Sequence, residues 1–107
     1  MSCFFVYVTA PDKTEAMKIG ECLVEERLAA CVNVLGSIES VYRWKGKIER
    51  DEEVAFVAKT TDERLEELMA RIKALHSYEC PCIVALPIQE GSPDFLKWIA
   101  AECRPGT

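Results

Sequence analysis

The chain has 107 residues, half of them apolar and 29% charged, and it carries a net charge of −5. This length fits a single domain spanning residues 1–107, and the apolar share excludes intrinsic disorder. Nucleic acid and membrane are not expected partners: an acidic chain lacks the Lys/Arg stripe that phosphates need, and no apolar run nears the ~18–20 residues of a membrane span.

Cys3 to Ala10 is short, apolar and rich in aromatic and β-branched residues, which predicts a buried strand. Pro11 ends it. Asp12 is placed to cap a helix running to Leu28, with Glu15 three residues on. Ala16, Ile19, Gly20, Leu23 and Val24 form its apolar face, and Cys22 lies nearly opposite them, as the expected most exposed thiol. Ala30 to Val34 predicts a second strand, in which Cys31 is expected to be inaccessible. Gly36-Ser37 marks a bend or bulge, and strand character resumes from Ile38 to Trp44. Lys45-Gly46 fits a two-residue turn. The return strand runs from Lys47 to Thr60, and its stretch Val54 to Ala58 predicts burial on both faces. Asp62 is placed to cap a second helix carrying Leu65, Leu68, Met69, Ile72 and Leu75. His76 to Glu79 reads as a loop, and Cys80 to Gln89 as the last strand, with Pro87 marking an edge or a bulge. Ser92 and Pro93 open a terminal helix with Phe95, Leu96 and Ile99 on its apolar face.

The order is β-α-β-β-α-β plus a helix. The expected fold class is α+β: a ferredoxin-like βαββαβ sandwich with a long β-hairpin and an extra C-terminal helix. Paired about Lys45-Gly46, the hairpin from Ile38 to Glu53 has arms of about 7 residues and reaches more than about 20 Å. A two-stranded ribbon carrying Val41, Tyr42, Trp44 and Ile48 needs cover, which predicts a subunit interface.

No G-x-S-x-G elbow and no glycine-rich phosphate loop is present, and the chain has one histidine, so no enzyme is expected. An anion cradle of the acylphosphatase kind is disfavoured after the first strand, where Pro11 has no N–H and Asp12 repels anions. His76 is followed by Glu79, Cys80 and Cys82, which together offer imidazole, carboxylate and thiol, the donors of transition metals; thiolates favour Cu(I). Cys80 and Cys82, two apart on one strand, could also simply pack together on one face. The opening residues lack the basic start and cleavage site of a signal peptide, so a cytoplasmic location with six free thiols and no disulfide is expected.

Ala29-Ala30-Cys31-Val32-Asn33, the run from Ser40 to Ile48, Glu53, Lys59-Thr60, His76 to Pro81, Ala85-Leu86-Pro87 and the run from Gly91 to Ile99 occur in the order seen in one family. Taken together, they make the chain similar to the CutA divalent-cation tolerance family. The resemblance implies a cytoplasmic homotrimer whose long hairpins pair between subunits, linked to tolerance of divalent metals, with copper the ion usually named. Its architecture is also similar to that of PII-type signalling trimers. That gives a second reading, a small anionic or nucleotide-like ligand in a subunit cleft, with Arg43, Lys47 and Lys59 at hand. The chain departs from the copper-associated pattern at Val8 and Leu75, where a cysteine and a histidine can stand, and at Ser77 and Cys82.

Overall fold

The computed structural model describes residues 1–105. Strand β1 (Cys3–Ala10) leads to helix α1 (Lys13–Glu25), and β2 (Cys31–Trp44) turns into β3 (Lys47–Thr61). Helix α2 (Asp62–Leu75), strand β4 (Ile83–Pro87) and helix α3 (Pro93–Glu102) follow. The sheet order is β2-β3-β1-β4 with every pairing antiparallel, the ferredoxin-like arrangement that the element order predicts. Pairs such as Val6↔Ala58 and Val8↔Phe56 turn one sheet face toward the helices. There they meet Ile19 and Leu23 of α1 and Leu68 and Ile72 of α2, all fully buried. On the opposite face α3 makes a smaller cluster of Ile99 and Cys103 with Cys3 and Ala30. The rest of that face stays open: Val84 and Leu86, paired with Tyr7 and Phe5, are 50% and 54% exposed.

Val54 to Ala58 is buried throughout, because β3 is an interior strand covered by α1 and α2 on one face and lying beside α3 on the other. A β-bulge falls between Val34 and Gly36, where Gly36 takes φ +105°, and β2 continues through it as one strand. Lys45 and Gly46 both have positive φ, as a tight primed hairpin turn requires. From Ile38↔Glu53 to Trp44↔Lys47 the hairpin pairs without slip and projects from the body, giving the molecule a 44 Å long axis.

Several boundaries differ from the sequence reading. Helix α1 stops at Glu25 rather than Leu28, in a Schellman closure. Arg27 takes the left-handed residue (φ 59°) and donates its N–H to the Val24 carbonyl, while the Leu28 N–H reaches back to Leu23. Leu28 is buried as the hydrophobic partner of that closure, not as a helical residue. With the helix shortened, Val24 lies at the rim and is exposed. Asp62 is the first residue of α2 and Thr61 its N-cap. Phe95 is not core: it stacks on Trp98, centroids 5.5 Å apart, and both rings are about two-fifths exposed.

Strand β4 begins at Ile83, not Cys80. Val8↔Ile83 is its last pair with β1, so Cys80 and Cys82 belong to the preceding loop. Both are exposed, whereas Cys22 is only half-exposed. Cys22 lies one turn before Glu26, whose carboxylate grips Arg71 of α2, with the thiol near that guanidinium. Cys31 is half-buried rather than inaccessible, since it sits on edge strand β2.

Candidate functional site

The hairpin register sets one wall of the largest cleft. Opposite residues of an antiparallel pair share a face, so Ile38, Ser40, Tyr42 and Trp44 stand with Glu49, Asp51 and Glu53. The loop of residues 77–82 faces this wall across a cleft of about 980 Å³, floored by Tyr7 and Thr9 of β1. Four carboxylates line it, those of Glu39, Asp51, Glu53 and Glu79, along with the thiols of Cys80 and Cys82. Among the described residues that line it, none is a lysine, an arginine or a histidine.

Two phenols are tied to the acids. The Tyr42 hydroxyl donates to Asp51, and the Tyr78 hydroxyl donates to Glu53 Oε2 at 2.7 Å. The hydrogen bond to Asp51, first of all, pushes the Tyr42 phenol up to about 12. Tyr78 is raised by burial first and then by its bond to Glu53. Partial desolvation pushes the Cys82 thiol up, the Glu53 charge adds to that, and a hydrogen bond with Thr9 offsets part of it.

His76 stands behind the cleft, with its side chain fully buried. Its Nε2 lies 2.7 Å from the Thr9 carbonyl, which can only accept, so Nε2 carries the proton. Nδ1 then accepts the Tyr78 N–H at 3.1 Å. Glu15 Oε2 lies 3.4 Å from the same nitrogen and accepts from the Ser77 N–H and hydroxyl at 3.0 and 2.9 Å. Thus the imidazole ties β1 to the start of the loop with both of its nitrogens in use, and Glu15 of α1 ties to the same loop through Ser77.

Of the candidate donors, the cleft brings together Glu79, Cys80 and Cys82 and leaves His76 in the wall behind them. No cluster of three or more His, Cys, Asp or Glu side chains is gathered for a metal among the described residues. The three cations expected for an anionic ligand do not line the cleft. Lys59 points away to Asn33 Oδ1 (2.9 Å) and to the Phe95 ring (5.6 Å). Sequence reading missed Tyr42, Asp51, Glu53 and Tyr78 as site residues. The first three could have been found by alternation about the Lys45-Gly46 turn. Tyr78 reaches Glu53 only through the folded loop, which no local pattern encodes.

The chain was compared with known proteins. Residues 4–102 match the family described as CutA1 divalent ion tolerance protein. A divalent-cation tolerance protein CutA from Thermus thermophilus is 47% identical over 94 residues, covering 88% of this chain and 91% of that one. Among solved structures, the periplasmic divalent cation tolerance protein CutA from Archaeoglobus fulgidus superposes with a TM-score of 0.92 at 44% identity, over 95% of this chain and 99% of that one. CutA from Xylella fastidiosa superposes with a TM-score of 0.94 at 38% identity, over 97% and 100%. The order of motifs, the fold and these likenesses agree, and the chain belongs to the CutA1 divalent ion tolerance protein family.

Proposed function

We propose that the protein is a non-catalytic, cytoplasmic, single-domain homotrimer that binds a divalent or soft metal ion, copper foremost, in the cleft between its hairpin and the 77–82 loop. The observation that carries this reading is the lining: four carboxylates and two thiols with no cationic side chain, which concentrates cations and repels anions. The relatives' names, which speak of divalent-cation tolerance, support the same class of ligand. Glu79, Cys80 and Cys82 are the proposed donors, with the thiols selecting a soft ion. His76 acts here as the residue that holds the loop, since a metal at either nitrogen would have to break a buried hydrogen bond. Glu79, Cys80 and Cys82 line one cleft but, among the described residues, do not close on a single point, so the coordination sphere is completed by a neighbouring subunit or by solvent. The occupied imidazole supports binding rather than catalysis, and six free cysteines, two of them openly exposed, fit a reducing compartment.

The trimer reading rests on the uncovered apolar surface. Leu35, Val41, Ile48, Val84 and Leu86 are all at least half exposed around two open sheet edges, a surface that pairs with further copies. Light scattering is expected to give three times the 12.0 kDa chain mass. A folded monomer at micromolar concentration would refute this reading. For the cation, calorimetry with copper and zinc on reduced protein should show saturable binding that Cys80→Ser/Cys82→Ser removes. Persistence of wild-type affinity in that variant would overturn the assignment.

A further inference from the structure

The side chain of the chain's one histidine is fully buried within the protomer, between partners that ask for opposite charge states. On β1 the Thr9 carbonyl accepts from Nε2 at 2.7 Å, and can do so in either state. At Nδ1 the partners compete. The Tyr78 N–H, 3.1 Å away, needs a bare nitrogen to accept it. The Glu15 carboxylate of α1, with Oε2 3.4 Å away, needs a protonated one. Ser77 already holds that oxygen in place through its N–H and hydroxyl, at 3.0 and 2.9 Å. The other surroundings divide the same way. Helix α2 ends at His76, whose N–H closes on the Ile72 carbonyl, and a helix C-terminus favours a cation. Lys73, the basic residue of that last turn, is exposed. Burial favours the neutral ring. Tyr78 lies against the imidazole, centroids 4.8 Å apart, and carries its hydroxyl to Glu53 of β3, while Cys82 bonds to Thr9 from the loop. That phenol and that thiol are both pushed up by burial first and then by Glu53, so neither brings a charge of its own near neutral pH.

We propose that His76 is a proton-operated latch on the 77–82 loop: the neutral ring holds the Tyr78 N–H, and the imidazolium releases it and turns Nδ1–H to Glu15. The proton comes from water and takes up the Nδ1 lone pair, and nothing else is consumed. Two N–H groups then face each other across the gap that was a hydrogen bond, which is repulsive. Nδ1–H and Oε2 need to close by only about 0.5 Å to make a charge-assisted hydrogen bond. The ring makes that turn about its bond to Thr9, which is kept. Tyr78 is also the residue that ties the loop to Glu53, so freeing its N–H loosens one wall of the cleft when a proton is taken up behind it. The latch lies inside one protomer and uses none of the donors proposed for the metal, so it stands whether or not the cleft takes an ion.

The test is nuclear magnetic resonance on ¹⁵N-labelled, chelator-treated protein, titrated from about pH 8 to about pH 5, the range in which imidazoles change charge. With one histidine in the chain, the ring signals belong to His76. At the upper end Nε2 should carry the proton and Nδ1 should be bare. As Nδ1 gains its proton, the Tyr78 amide should shift with the same midpoint and lose protection from hydrogen exchange, measured against its intrinsic rate. The Asp62 amide, bonded to the Ser2 carbonyl, serves as the control and should keep its protection. Glu15→Gln, which leaves an oxygen for Ser77, should move the midpoint to lower pH, because the imidazolium loses its counter-charge. His76→Gln, if folded by circular dichroism, should abolish the pH response of the Tyr78 amide; if it does not fold, the Glu15→Gln shift decides alone. A ring that stays neutral throughout, a Tyr78 amide unmoved while the ring titrates, or loss of Asp62 protection in step with Tyr78 would each overturn the proposal. So would an unchanged or raised midpoint in Glu15→Gln, or a Tyr78 response that survives in His76→Gln. None of these readouts involves copper, so the metal reading stands or falls separately.

Discussion

The helix-covered body and the hairpin with its cleft are made from the same sheet, yet they spend their residues differently. In the body, Val6, Val8, Phe56, Leu68 and Ile72 are completely buried. On the arm, Val41 and Ile48 are 68% and 56% exposed, and on one face the acids of β3 stand across from β2, where Tyr42 and Trp44 lie toward the turn. The body is stabilised by apolar burial that any ferredoxin-like chain could supply. The arm has no core of its own, and a two-stranded ribbon is marginal alone. Its length and its Tyr–acid pairs therefore owe little to the protomer's core, and substitutions should separate the two halves.

The largest effect belongs to the body. Phe56→Ala removes a fully buried ring from the central strand and should cost about 3–5 kcal/mol in urea denaturation. The same measurement on Val41→Ala should cost clearly less and depend on protein concentration, since that side chain meets solvent within the protomer and is covered only in the proposed assembly. Comparable losses from the two would erase the distinction. Gly20→Ala comes next. A Cβ there would stand 2.9 Å from Val32 Cγ1, so α1 must lift from β2, and overpacking of this kind costs about 1–3 kcal/mol.

The cleft's own signature is a titration. Both Tyr42 and Tyr78 are raised by their acids and by burial, so each contributes stability that is complete below about pH 10, the ordinary phenol value, and is lost as pH rises through its folded value. Ultraviolet phenolate titration should show Tyr42 and Tyr78 ionising late. Tyr78→Phe should delete the later step, and Glu53→Gln should bring it earlier. Ionisation of Tyr42 and Tyr78 near the ordinary value would show that the cleft acids do not act on them. The smallest effect is at the end of α1, where Arg27→Gly should raise stability by about 0.5–1 kcal/mol by relieving a left-handed backbone. A loss instead would mean that the Arg27–Glu102 contacts outweigh the strain.

Much of the body was legible in the sequence because it is written in local periods. Alternation and apolar runs located β1, the bulge at Gly36 and the buried Val54 to Ala58, and the Lys45-Gly46 pair placed the turn. The boundaries that failed did so where an apolar residue served a different purpose. Leu28 closes a helix through an arginine at the position usually given to glycine, and Cys80 and Cys82 continue an apolar run into a loop. The cleft was half legible. The motif from His76 to Cys82 pointed to the loop that faces the hairpin, but not to His76 being buried between Thr9 and Tyr78, because those bonds join residues 67 apart in the chain and residues within the loop. Nor does any period announce Tyr78 on Glu53.

The claim that cations come to the cleft donors, with His76 holding the loop, is tested most directly by X-ray absorption on copper-loaded, reduced protein. The account predicts a first shell dominated by sulfur, no outer-shell imidazole signature, and the same spectrum from His76→Ala, provided that variant folds by circular dichroism. A nitrogen shell with the multiple-scattering pattern of histidine, lost in His76→Ala, would contradict it.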